Sequence, residues 1–219
     1  MRCLIVSVAV AVLTLATVPL ASGPQLGSRP ADEWIARLER PERVAGLRVP
    51  EIIAKLGLKS GDVVADIGAG AGVFSWPLAR AVAPATVYAV EVDQRFIDHL
   101  QQRAAAQQLT NVRTVLGKFE DPLLPEKVDL AFFHDVLHHI EKREPYLQKV
   151  ASYLKPSGRI AVVELDATKP DASHRDQPEL QVTKEELDKW MKSAGLRRLE
   201  EISMFEDKWF VIYGKTADK

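Results

Sequence analysis

Residues 63–72 constrain the fold of this chain more than any other segment. Residues 63–67 are apolar except for Asp66, and three glycines follow at every second position. An apolar run without polar alternation is typical of a central parallel strand that is covered by helices on both faces. Apolar residues after the glycines recur at helical spacing, so the chain is predicted to turn sharply from this strand into a helix. Because glycine has no Cβ, a ligand can approach the main chain here, and we predict a binding crevice.

The glycine spacing separates two classes of nucleotide-binding turn. Dinucleotide-binding folds use G-x-G-x-x-G, which would place the third glycine at position 73, where this chain has Val73. The pattern Asp66-x-Gly68-x-Gly70-x-Gly72 instead resembles the first motif of the class I S-adenosylmethionine-dependent methyltransferases. The chain is also similar to this family in the apolar run 128–133, which leads into Val-Leu-His-His-Ile, and in the Leu-Lys-Pro-x-Gly turn before residues 159–165. The resemblance covers roughly residues 47–214. It looks closest to the small-molecule, quinone-biosynthesis-like branch (methyltransferase type 11).

The order of predicted elements gives an α/β fold. Five strands, at residues 63–67, 86–92, 112–116, 128–133 and 159–165, alternate with helices, and a hairpin of residues 196–203 and 208–213 follows. We therefore predict a doubly wound, seven-stranded, mostly parallel sheet with helices on both faces and an antiparallel C-terminal hairpin. This is the Rossmann-like methyltransferase fold that the resemblance implies.

Two acids, Glu91 and Asp93, stand at the end of the second predicted strand. In an open parallel sheet the ligand crevice lies beyond the carboxyl ends of the strands, where an acid can bind both hydroxyls of a ribose. We assign Glu91 to the ribose, in agreement with the family pattern. Asp93 is better explained as the N-cap of a helix predicted over residues 94–107.

The resemblance implies further contacts with the cofactor, S-adenosyl-L-methionine. The glycine turn is expected to pack against its amino-acid end, with Asp66 near the ammonium group. The loop after the third strand contacts adenine in the family, often through an acid, but this chain has Lys118 there. The adenine contact then falls to the main chain of Lys118 and Phe119 or to Glu120; a solvated loop is the alternative. The predicted cofactor-binding residues are Asp66, Gly68, Ala69, Gly70, Gly72, Glu91, Val92, Lys118, Phe119 and His134.

His134 is the candidate catalytic residue, because it follows the fourth strand, beside the position that the resemblance assigns to the sulfonium. Methyl transfer from a sulfonium depends mainly on alignment and exclusion of water. A histidine with a near-neutral pKa can act as a base where the acceptor must lose a proton. The alternative is that His134 only lines the pocket or binds backbone. Although His138 and His139 follow closely, no acid is spaced to complete a metal site, and we expect no metal.

Composition limits the other functions. The formal charge of -1 over 219 residues supplies no global basic field, so we expect a small-molecule substrate and no nucleic acid. The only cysteine, Cys3, excludes an intrachain disulfide and a thiolate zinc site. The sequence leaves the oligomeric state open.

The first residues are expected to direct the protein out of the cytosol or to a membrane. Residues 4–21 are apolar and end before small residues, which is typical of a signal peptide over residues 1–23. A retained membrane anchor, a buried helix or a mis-assigned start are the alternatives. The protein would then be periplasmic, secreted or membrane-anchored, although S-adenosylmethionine is made in the cytosol. Residues 24–46 are predicted to form a linker and an N-terminal cap, and residues 47–219 the cofactor-binding domain.

The leading prediction is an enzyme that transfers a methyl group from S-adenosylmethionine to a small-molecule acceptor. The first alternative is a cofactor-binding protein without catalysis, and the second is a nicotinamide-dependent oxidoreductase, which Val73 disfavours. The polar segment 166–182 is predicted to be either a substrate lid or a simple surface loop.

Overall fold

The computed structural model describes residues 30–169 and 176–215. The predicted signal peptide or anchor at residues 1–23 lies outside these ranges, as does the central part of the predicted lid, and both stay predictions. Within the two ranges, no helix has the length and apolar character needed to cross a membrane.

Seven strands within the described ranges form one sheet. They are β1 (Val64–Ile67), β2 (Val87–Glu91), β3 (Val112–Leu116), β4 (Val128–His134), β5 (Leu154–Leu165), β6 (Leu196–Ile202) and β7 (Lys208–Lys215). Their order across the sheet is β3-β2-β1-β4-β5-β7-β6. Strands β1 to β5 pair in parallel, and β7 pairs antiparallel with both β5 and β6. The predicted mostly parallel sheet with an antiparallel C-terminal hairpin is confirmed.

Helices cover both faces of this sheet. In the described part of the chain they are α1 (Ala31–Leu38), α2 (Pro41–Gly46), α3 (Val49–Lys55), α4 (Ser75–Val82), α5 (Gln94–Ala106), α6 (Arg143–Ser152) and α7 (Lys184–Ser193). Successive residues of a strand point to opposite faces. Ala65 and Ile67 of β1 accordingly belong to the same buried cluster as α6 and α7, while Val64 packs in a second cluster with α3 and α4. The core therefore consists of two apolar layers separated by the sheet.

The connection between α6 and β5 differs from the prediction. Strand β5 already begins at Leu154, which pairs with Val128, and the register then shifts so that Arg159 pairs with Leu130. The predicted turn at 155–158 is thus an irregularity inside β5. A Cβ built at Gly158 would lie 2.9 Å from the carbonyl oxygen of Val128. Only glycine therefore fits where strands β4 and β5 approach each other this closely.

Side chains cap the starts of two helices, and the predicted Asp93 cap is confirmed. The Asp93 carboxylate accepts a hydrogen bond of 2.9 Å from the Arg95 N–H at the start of α5. At the start of α7, Thr183 and Glu186 form a capping box, with distances of 3.2 and 3.1 Å for its two hydrogen bonds. Since α5 follows β2 directly, the Asp93 cap also fixes where β2 ends and where Glu91 stands.

Candidate active site

The glycine turn between β1 and α4 has the conformation that its sequence requires. Gly68 and Gly72 have φ values of 68° and 82°, which favour glycine. A Cβ on Gly68 would collide with the side chain of Val136, and one on Gly72 would collide with the ring of Trp76. Contacts within the protein therefore already demand glycine at both positions.

A cavity of about 390 Å³ opens at this turn. It lies at the carboxyl ends of β1, β2 and β4, where ligands bind in open α/β sheets. Its volume falls in the usual range for small-molecule pockets. All predicted cofactor-binding residues except Gly72 line the cavity. Helix α1 and the segment after it close one side with Trp34, Leu38 and Arg43, in the position expected of an N-terminal cap.

Two carboxylates are buried beside the glycine turn. Asp66 is 3% exposed and Glu91 is 5% exposed. Burial raises the pKa of Asp66 to about 7, against a hydrogen bond of 2.6 Å donated by the Ser75 hydroxyl, and nearby Glu91 adds to the rise. Burial also raises the pKa of Glu91, although it accepts hydrogen bonds from the Gly70 and Val92 N–H groups at 2.7 and 3.0 Å. A positively charged group of a ligand would stabilise the ionised form of both carboxylates.

His134 stands at the last position of β4, with its ring centroid 4.5 Å from that of Phe74. Burial lowers the pKa of His134 to about 4, and Lys208 and Arg43 add to this effect while Asp135 opposes it. The near-neutral pKa expected from the sequence is therefore wrong. The imidazole is neutral at physiological pH and is a weak base. Its Nε2 atom is buried and has no hydrogen-bond partner in the described structure.

Asp135 was not predicted as a site residue, although it also lines the cavity. It has a φ of 51°, it forms an ion pair with Lys208, and its Oδ2 atom lies 3.4 Å from the Nδ1 atom of the neutral His134. Burial opposes ionisation, but His134 and the Lys208 ammonium outweigh it and hold the pKa of Asp135 below its usual value. Its Oδ1 atom is buried and has no hydrogen-bond partner among residues 30–169 and 176–215. The strand-end rule that identified Glu91 could have found this residue, because Asp135 directly follows β4.

The loop after β3 reaches the cavity, and the contact with adenine stays a prediction. Lys118, Phe119 and Glu120 all line the cavity. However, the Lys118 N–H already donates to the Asp121 carbonyl at 2.7 Å, and the Lys118 carbonyl accepts from the Asp121 N–H. Phe119 and Glu120 are left as the candidates for a contact with the adenine.

The neighbouring histidines do not form a metal site. Among residues 30–169 and 176–215, no three His, Cys, Asp or Glu side chains are grouped so that they could hold an ion. His138 is buried outside the cavity, and its Nδ1 atom lies 2.7 Å from the Glu164 carboxylate. The exposed His139 stacks against His138 at a centroid distance of 4.1 Å.

Comparison with known proteins gives one family. A family model described as a methyltransferase domain matches residues 58–195. The mitochondrial ubiquinone biosynthesis O-methyltransferase of Schizosaccharomyces pombe is 28% identical over 120 residues, which are 54% of this chain and 43% of that protein. The chain spans less than half the length of the first curated relatives that it matches.

Solved structures share the fold. A SAM-dependent methyltransferase from Aquifex aeolicus matches with a TM-score of 0.76 at 21% identity, over 86% of this chain and 100% of that one. Magnesium protoporphyrin IX methyltransferase from Synechocystis PCC 6803 with bound SAH matches with a TM-score of 0.62 at 19% identity, over 79% of this chain and 84% of that one.

A doubly wound sheet with an inserted antiparallel β7 and a cavity at the glycine turn defines a Rossmann-like methyltransferase fold. The family model covers more than half of the 219 residues, and the chain belongs to the methyltransferase domain family. The prediction of a class I S-adenosylmethionine-dependent methyltransferase, with S-adenosylmethionine as its cofactor, is confirmed at the level of the family.

Proposed function

We propose that this protein transfers a methyl group from S-adenosylmethionine to a small-molecule acceptor inside the cavity at the glycine turn. The observation that carries the proposal is the pair of buried carboxylates, Asp66 and Glu91, beside main chain that only glycine can form. S-Adenosylmethionine supplies an ammonium group, a ribose diol and a methyl group on a positive sulfur.

The residues present fit this ligand. The pKa of Asp66 is about 7 because burial disfavours its charge, and an ammonium group nearby would stabilise the ionised carboxylate. Each Glu91 oxygen accepts one main-chain hydrogen bond, which leaves each oxygen free to accept another. Two free acceptors on one carboxylate match the two hydroxyls of a ribose. The main chain at Gly68, Ala69 and Gly70 lines the same cavity.

The other lining residues support alignment and exclusion of water. Trp34 and Leu38 of α1 cover the cavity opposite the sheet, and Phe74 packs against His134. The Trp34 Nε1 atom is buried without a partner in the described structure, so it can donate a hydrogen bond to a bound molecule. For a displacement on an activated donor, such positioning accounts for much of the rate. His134 is too weak a base to ionise an acceptor beforehand, and it can only take a proton during or after transfer.

Calorimetry with S-adenosylhomocysteine tests cofactor binding, with Glu91→Gln as the variant. Glutamine places an NH₂ group against the Gly70 or Val92 N–H and removes the charge, so affinity should fall about 10- to 100-fold. Glu126→Gln is the matched control. Glu126 is exposed, lies outside the cavity and accepts a hydrogen bond from the hydroxyl of Tyr88, which is on the same strand as Glu91. No binding to the unmodified protein, or equal losses in both variants, would contradict the proposal.

An acceptor screen with labelled methyl donor separates an enzyme from a binding protein. Label in a small-molecule product is the result that we expect. Binding of S-adenosylhomocysteine with no label transfer to any acceptor would support the non-catalytic alternative, and binding of NADH in its place would support the oxidoreductase.

A further inference from the structure

The cavity contains a second group of polar atoms that the cofactor contacts proposed above leave unused. The Nε2 atom of His134 and the Oδ1 atom of Asp135 are both buried, and neither has a hydrogen-bond partner in the described structure. Both side chains line the cavity. A buried polar atom without a partner costs free energy, so two in adjacent residues are unusual unless a ligand satisfies them.

The protein holds Asp135 in this position at a further cost. Its φ of 51° places a non-glycine residue in the left-handed region, which is sparsely populated and clusters at functional sites. An ion pair with Lys208, the first residue of β7, engages the Oδ2 atom. The carboxylate is thus fixed through one oxygen while the other stays without a partner.

The contact with Asp135 also determines which ring nitrogen of His134 carries the hydrogen. Its Nδ1 atom lies 3.4 Å from Oδ2 of Asp135, so the tautomer with hydrogen on Nδ1 is favoured by the negative charge. Nε2 then carries a lone pair. Both unpartnered atoms, Nε2 and Oδ1, therefore accept hydrogen bonds, and one ligand O–H or N–H group can donate its hydrogen to either of them in turn.

Charge narrows the choice of ligand. Two cations, Lys208 and Arg43, act on His134 against the single carboxylate of Asp135, and His134 itself is neutral. An alkylammonium group bound at these two atoms would be repelled by the Lys208 ammonium, which already pairs with Asp135. A hydroxyl group is uncharged, and its hydrogen bond to a carboxylate is among the shortest and strongest in proteins. The Phe74 ring beside His134 and the Trp34 side chain provide flat apolar walls.

We propose that Asp135 and His134 bind the methyl acceptor and that this acceptor is an aromatic or enolic hydroxyl compound, so that the product is a methyl ether. This inference rests on the proposed function. As the new O–CH₃ bond forms, the S–CH₃ bond breaks and its electron pair stays on sulfur. The hydroxyl proton passes to Nε2 of His134 and then to water. An oxygen that is gaining a methyl group becomes strongly acidic, so a weak base suffices for this late transfer.

Three molecules of similar shape test the acceptor site: 4-nitrophenol, 4-nitroaniline and 4-nitrotoluene. Their binding to the full chain saturated with S-adenosylhomocysteine is measured by equilibrium dialysis in a buffer acidic enough to keep 4-nitrophenol protonated. We expect 4-nitrophenol to bind at least about tenfold more tightly than 4-nitrotoluene, which corresponds to one hydrogen bond to a charged group. Absence of 4-nitrophenol binding, binding equal to that of 4-nitrotoluene, or tighter binding of 4-nitroaniline would each overturn the inference.

Variants assign the preference to residues. Asp135→Asn tolerates the left-handed backbone and removes the charge, so the advantage of 4-nitrophenol should largely disappear while S-adenosylhomocysteine binding is kept. Lys208→Met should act in the same direction by releasing Asp135, and Lys208→Arg should restore the preference. An unchanged preference in Asp135→Asn would overturn the inference. Failure of the unmodified protein to bind S-adenosylhomocysteine would instead remove the proposed function itself.

Discussion

The raised pKa of buried Asp66 predicts a change of stability with pH that can be measured directly. This carboxyl is 3% exposed, and it accepts a hydrogen bond of 2.6 Å from the Ser75 hydroxyl. Burial raises its pKa from 3.8 to about 7. The Asp66→Asn variant keeps the shape and an acceptor for Ser75, but it cannot ionise. Comparing the two proteins over a range of pH therefore isolates the cost of a buried negative charge.

The sign of the effect follows from the raised pKa. The folded state binds the Asp66 proton more tightly than the unfolded state, so the stability from this group is complete below about pH 4 and is lost as pH rises through about 7. A rise of about three pKa units at about 1.4 kcal/mol each gives about 4 kcal/mol in total. Between about pH 5 and about pH 8 the loss is about 2 to 3 kcal/mol, because part of it has already occurred at about pH 5. The Asn variant should lack this loss.

Urea unfolding without cofactor measures the difference. The free energy of unfolding of the unmodified protein should fall, relative to Asp66→Asn, by about 2 to 3 kcal/mol between about pH 5 and about pH 8. Titrating groups that do not interact with Asp66 are common to both proteins and cancel. Asp98→Asn, at an exposed position on α5, is the control and should run parallel to the unmodified protein. Parallel curves for Asp66→Asn as well would show that Asp66 carries no raised pKa.

Two further outcomes follow from the same turn. Binding of S-adenosylhomocysteine at about pH 6 should release about 0.9 proton, because its ammonium group favours ionised Asp66. Calorimetry in buffers of different ionisation enthalpy measures the number of protons released. Persistence of the release in Asp66→Asn would contradict the assignment to Asp66. Gly72→Ala should lower the free energy of unfolding by about 2 to 4 kcal/mol, because its Cβ would meet the Trp76 ring at a positive φ. Gly46→Ala, where nothing lies within 4 Å of the new Cβ, is the control in urea unfolding, and equal effects at Gly46 and Gly72 would refute this reasoning.

The sequence predicts those parts of the site that depend on short segments. The glycine spacing, Glu91 and the Asp93 cap each depend on neighbours within a few residues, and the structure places them as expected at the cavity or at the start of α5. The pKa of His134 could not be predicted in this way. It depends on burial among Phe74 and residues distant in sequence, and that burial, rather than the identity of the residue, lowers the value to about 4.

The contact between Lys208 and Asp135 shows why the polar group formed by His134 and Asp135 could not be predicted from the sequence. Strands β1 to β5 bring their last residues to the edge where the cavity lies, whereas β7 runs antiparallel and brings its first residue there. Lys208 pairs with Leu165 at the carboxyl end of β5, and from this position its ammonium reaches Asp135 after β4. The reversed direction of one strand therefore supplies the cation that holds Asp135, and the position of β7 in the sheet is set by pairing between segments far apart in the chain.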